Sequence, residues 1–99
     1  MIYVNIIKTY RSVVAICDKE LLGKRFEEGI LQLDVKESFY KGEEISEEKA
    51  VEMMKSFSEE DATFNIVGEK SVACALKAKI ISEESVGKIA GIPFALVLV

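Results

Sequence analysis

Asn65, Gly68 and Lys70, in the stretch FNIVGEKSVACALKA (64–78), have the residue types and spacing most suggestive of chemistry. The apolar run 64–67 predicts a strand, and 69–78 predicts a helix with Val72, Ala75 and Leu76 on one side. Strand, glycine turn and helix is an arrangement that can hold phosphate. A helix N-terminus offers unpaired N–H groups and roughly half a unit of positive charge. Lys70 adds a cation nearby. Three features oppose that use. A phosphate loop needs several glycines for the backbone to approach the anion, and this turn has Gly68 alone. Glu69 already complements the dipole and repels a phosphate. No ribose-binding acid stands behind the turn in a recognisable βαβ frame. The turn is therefore read as geometric, with Asn65 bonded to local backbone. A small enzyme or nucleotide binder built on Gly68 is the alternative.

The chain has no His, so acid–base work would fall to Asp, Glu, Lys, Tyr or Cys. Asp18, Glu20 and Lys24 cluster around a short helix predicted at 19–22, which Asp18 would cap and Gly23 would stop. Cys17 precedes that helix, where a thiol can be activated, but the neighbouring Asp18 disfavours a thiolate. Cys17 and Cys74 are the only cysteines and cannot build the usual four-ligand zinc site. Two small buried hydrophobes are expected, with a Cys17–Cys74 disulfide as the competing reading. In SFYKG (38–42), Phe39 and Tyr40 beside Gly42 can stack on a base or anchor a protein. The plainer reading makes Phe39 a core plug covered by Tyr40. None of these residues implies a cofactor or metal.

The elements that position them follow from period and punctuation. Residues 2–8 and 13–17 read as a hairpin, and Leu31, Leu33 and Val35 alternate as a strand with one wet face. The stretch ESFYKGEE reads as a polar loop. A helix starting at Ser46 carries Ala50, Val51, Met54 and Phe57 at helical spacing. ISEE recurs at 45–48 and 81–84 and is read as two helix starts, the second opening a helix at 83–90. The closing run IPFALVLV (92–99) should pair properly only after Pro93, inside a sheet covered on both faces. The expectation is a single α+β domain over residues 1–99, with a mixed sheet of about five strands, two longer helices and one or two short ones.

Bulk composition narrows the partners. Of 99 residues, 49% are hydrophobic and 30% charged, which is enough apolar surface for a core without staples. The net charge of −4, with no basic run, disfavours RNA. Glu and Lys dominate the charges while amides are scarce, a bias of hyperthermophile proteins. The opening MIYVNIIKTYR lacks a signal-peptide layout, and the longest apolar run falls far short of the about 20 residues of a spanning helix. A cytoplasmic protein without a membrane partner is expected.

CDKELLGKRF (17–26), LDVKESFYKG (33–42), NIVGEK (65–70) and GIPFA (91–95) occur in that order. Together they resemble an archaeal family known as domain of unknown function number 424, over nearly the whole chain. The resemblance implies an archaeal cytoplasmic protein, associated with translation genes, and transfers no activity. Its pattern carries a His after the Gly-x-Pro, where this chain has Phe94. With no catalytic constellation, the expected function is a non-catalytic interaction module, an accessory of the translation machinery. Its partner would be a protein, engaged through the SFYKG loop and the 18–24 helix. Assembly into a homo-oligomer is a further alternative.

Overall fold

The computed structural model describes residues 1–98. The expected hairpin is there: β1 (Ile2–Lys8) and β2 (Ser12–Asp18) pair antiparallel, with Ile2 opposite Asp18 and Lys8 opposite Ser12. β-Branched side chains crowd both strands and suit a pleated, half-buried surface. β2 runs parallel to β6 (Thr63–Val67), whose other neighbour is the antiparallel β8 (Ile92–Val97). Short strands finish the edges, β5 (Glu43–Ile45) on β1 and β7 (Gly87–Ile89) on β8. The result is a mixed six-stranded sheet in the order β5-β1-β2-β6-β8-β7, larger than the sheet expected from sequence. β3 (Arg25–Glu28) and β4 (Leu31–Asp34) form a separate hairpin. β4 follows the alternation seen in the sequence. β3 went unforeseen because a lone apolar residue, Phe26, among charges has no period.

Two longer helices are present as expected. α2 (Glu47–Ser58) starts at Ser46, whose Oγ accepts from the Lys49 N–H at 3.2 Å. α3 (Glu69–Lys77) follows Gly68. Three local expectations are corrected. ESFYKGEE is not a loop but a single-turn helix α1 (Glu37–Tyr40) followed by β5. The 19–22 helix is a 3-10 turn, Lys19–Leu21. The 83–90 helix is a 3-10 turn, Glu83–Ser85, followed by β7. There Gly87 lies so close to the Phe94 ring that a Cβ would come within 2.8 Å of it, and pairing with β8 replaces helix.

α2 and α3 cover one face of the sheet, packing Ala50, Met54, Val72 and Ala75 on Ile2, Val14, Ile16, Phe64 and Ile66. Over the other face, Leu22, Phe26, Val35, Phe39 and Tyr40 sit on Ala15, Cys17 and Val67. Cys17 and Cys74 belong to these two different layers and are unbonded, which removes the disulfide reading. The second cover is incomplete. It reaches the end of the sheet where β2 and β6 terminate, but Leu96 is 52% and Leu98 73% exposed. The terminal run is thus not fully enclosed as expected, and Val99 lies outside the described residues. β8 also begins before Pro93 rather than after it. The Gly68 N–H donates to the Pro93 carbonyl at 2.8 Å, while the Gly68 carbonyl accepts from Val72 N–H at 2.9 Å. The N–H that proline lacks therefore has no acceptor waiting for it.

Candidate functional site: a cleft on the half-covered sheet face

Asp18 occupies the Gly68 corner. Parallel pairing of Cys17 with Val67 brings Asp18, at the end of β2, level with the start of α3. Its carboxylate is buried, and Oδ2 accepts from Lys70 N–H at 3.0 Å. Oδ1 accepts from Ser71 N–H at 2.8 Å and from Ser71 Oγ at 2.7 Å. The positive end of the helix is thus filled by the chain's own anion. Gly68 holds φ +109°, and a Cβ there would fall inside the Asp18 carboxyl group. The glycine permits the close approach of Asp18. Asp18 makes no side-chain bond to the 19–21 turn it was expected to cap. A shallow cleft of about 140 Å³ beside this corner is lined, among the described residues, by the acids Asp18, Glu20 and Glu69 and one cation, Lys70, a balance hostile to phosphate.

Two other sequence candidates act through the backbone. The Lys24 side chain is exposed, while its N–H donates to Leu21 O at 3.0 Å and its carbonyl accepts from Val35 N–H at 2.9 Å. These bonds fasten the β3–β4 hairpin. A Cβ on Gly42 would overlap the Val4 carbonyl oxygen, so only glycine lets the chain enter β5 so close to β1.

Tyr40 and Asn65 come together, although they are far apart in the chain. Tyr40 is the buried member of the aromatic pair, at 7% exposure, whereas Phe39 is half-buried, the reverse of the expected order. The two rings meet edge to face with centroids 5.0 Å apart. Asn5 Nδ2 donates to the Phe39 carbonyl at 2.8 Å and holds α1 on the sheet. Tyr40 and Asn65 then line one cleft of about 190 Å³ with Leu33, Val67, Phe94 and Leu96. Among the described residues, no charged side chain lines it. Among the described residues, neither the Asn65 amide nor Tyr40 Oη makes a hydrogen bond, contrary to the expected local bond of Asn65. Among the described residues no fully buried side-chain N or O lacks a partner, so both polar ends reach open space.

Burial raises two titratable groups in the layer beside the cleft. Burial pushes the Cys17 thiol up to about 12, helped by the Asp18 and Glu20 carboxylates. Burial, and then Cys17, pushes the Tyr40 phenol up to about 12. Both stay protonated near neutrality, and Tyr40, which lines the cleft, presents a neutral hydroxyl to it. Leu33 and Leu96 escaped sequence reasoning as site residues because alternation marks an apolar residue as core without showing that its cover stops short. Among the described residues, no group of His, Cys, Asp or Glu converges as a metal site, and no helix is long and apolar enough to cross a membrane.

The family model described as "Protein of unknown function (DUF424)" matches residues 7–99. The chain belongs to the DUF424 family. The match spans both sides of the cleft, Tyr40 and Asn65 included, and bears out the resemblance carried by the four sequence segments. This DUF424 chain is also similar to the crystal structure of an uncharacterized conserved protein from Methanopyrus kandleri. The TM-score is 0.84 at 24% identity, with 97% of this chain and 89% of that chain covered. The likeness shows a shared fold. A comparison with curated proteins gave no match.

Proposed function

We propose that this DUF424 protein is a non-catalytic interaction module that binds a protein partner through the sheet face around Tyr40, Asn65 and Leu96. The observation that carries this reading is the cleft. It is an apolar hollow with two unengaged neutral polar groups, on a sheet face whose cover stops short. Apolar surface of this kind, exposed beside polar groups, is where partners bind. The surface shifts from the expected one because Asp18 is committed to α3 and Tyr40 faces the cleft. RNA is disfavoured because no cation among the described residues lines the cleft and the net charge is −4. The phosphate alternative at Gly68 is not advanced, since the Lys70 and Ser71 N–H groups are bonded to Asp18. An accessory role in translation rests on the family resemblance of the sequence alone.

The test places a photo-cross-linking amino acid at Leu96 and, separately, at Glu52 on the exposed side of α2. The adduct from native cells is identified by mass spectrometry, and the partner is then purified and rebound. A protein joined at Leu96 but not Glu52, whose rebinding is lost in Leu96→Asp, is the expected result. Equal labelling at both positions, or no adduct at Leu96, overturns the reading.

A further inference from the structure

The backbone beside the cleft says more about the occupant. The Gly68 N–H bond to the Pro93 carbonyl shows that Pro93 faces β6. Antiparallel ladders alternate, so Ala95 and Val97 also face β6, while Ile92, Phe94 and Leu96 point their N–H and C=O groups the other way. β7 meets Ile92 and Phe94, and its pairing ends with Gly87 opposite Phe94. Leu96 is next in that row. Among the described residues no strand pairs with it on that side, and no loop backbone bonds to it. Other edges of this sheet are guarded: β5 is three residues long and carries Glu43 and Glu44, and β7 is equally short. Ala95, Leu96 and Val97 carry no charge and no proline.

We propose that the partner binds as an extended, uncharged peptide segment that adds a strand beside β8 at Leu96. One large neutral side chain with a polar tip, such as Tyr or Gln, sits in the cleft. This rests on the interaction-module reading and names the chemistry of its partner. Three observations select the occupant. A residue hydrogen-bonded opposite Leu96 puts its side chain on the same sheet face as Leu96, which is the face of the cleft. The hollow of about 190 Å³ is smaller than the roughly 300–1,000 Å³ of sites that enclose whole small ligands. It fits a side chain better than a nucleotide. Its walls are uncharged, so a charged anchor would lose its hydration without a counter-ion, whereas Tyr40 Oη and the Asn65 amide can satisfy a neutral polar tip. Main-chain bonds supply affinity and the cleft supplies selectivity, as in other strand-addition complexes.

The test is a selection of random heptapeptides on the full chain, with counter-selection on Leu96→Pro. A proline there removes the outward N–H, which the sheet does not use, and circular dichroism checks that the variant is folded. Enriched peptides are synthesised with and without N-methylation of the anchor residue's amide. An uncharged consensus carrying a Tyr- or Gln-like anchor, weakened at least about tenfold by N-methylation, is expected; that factor equals about 1.4 kcal/mol. Peptides that bind equally well when N-methylated, or that carry a charged anchor, overturn strand addition and leave the interaction module standing. Enrichment of nothing on the wild-type chain also overturns it, and the module then stands or falls on the Leu96 cross-link. A dimer in sedimentation that Leu96→Pro abolishes replaces the separate partner with a second copy and overturns the proposal.

Discussion

Asp18 shows how one side chain can decide between a ligand site and a structural joint. Three hydrogen bonds from Lys70 and Ser71 converge on its buried carboxylate, and a helix N-terminus lies behind them. A carboxylate placed this way stabilises both the helix and the junction of β2 with α3. Asp18→Ala leaves the donors of Ser71 buried without an acceptor. Loss of charged hydrogen bonds of this kind costs about 2–3 kcal/mol. The guanidinium midpoint should fall with an unchanged slope, and Asp18→Asn, which keeps one acceptor oxygen, should fall less. Equal midpoints for wild type and Asp18→Ala would show that the carboxylate contributes nothing to folding. Gly68→Val is not a usable probe of phosphate binding, because its side chain would displace Asp18 and unfold the junction.

At the level of elements, β5 depends on one missing side chain. Gly42 lies against the Val4 backbone, and the conflict of an added Cβ would be with a carbonyl oxygen rather than a yielding side-chain end. Gly42→Ala should therefore detach β5 from β1 locally, at about 1–3 kcal/mol for an overpacked contact. Hydrogen exchange checks this: the amides of 43–45 should lose protection while those of β6 keep theirs. Uniform protection across the variant would place the strain elsewhere. The same strand marks what was legible beforehand. The β1–β2 hairpin, α2 and α3 announced themselves because their periods are long and their starts carry Gly, Ser or Glu signals. β3, β5 and β7 are too short to show a period, and tertiary pairing overrode the helical signal of 83–90. Tyr40 and Asn65 were singled out separately, but their meeting depends on α1 folding back over β2, which no local pattern encodes. Asp18 does stand at the start of the nearer turn, but its carboxylate bonds to α3, which the sequence concealed for the same reason. Its partners lie 52 and 53 residues away, and a nearer helix start offered a local answer.

For the whole molecule, the second layer of the sheet has a consequence for alkaline stability. Cys17 and Tyr40 are both packed in that layer, and both resist ionisation there. In the unfolded chain the thiol ionises near 9.0 and the phenol near 10.0, whereas folded they hold their protons to about 12. Below pH 9 both states bind the same protons at these groups, and their contribution is fully present. As pH rises above that, the unfolded chain sheds protons that the folded chain keeps, so unfolding gains. The slope is up to about 1.4 kcal/mol per pH unit for each group that ionises only on unfolding. Guanidinium midpoints should therefore fall from about pH 9 toward 12, first through Cys17 and then more steeply once the phenol joins. Burial also pushes the Cys74 thiol up, so Cys17→Ala should reduce the earlier onset rather than abolish it, and Tyr40→Phe should remove the later steepening. Tyrosinate absorbance of the folded protein should show a late step toward about pH 12 that Tyr40→Phe removes. Flat midpoints across that window would mean that water reaches both groups and that the layer over Ala15, Cys17 and Val67 is not closed. A closed layer ending at an open one is also what gives the cleft its floor. Tyr40 belongs to both, its ring sealed among Cys17 and Val67 and its hydroxyl at the rim where Leu96 is left uncovered. Alkaline titration and partner binding are thus two readouts of the same boundary, and a peptide seated over the hydroxyl should raise the Tyr40 titration further by removing its remaining water.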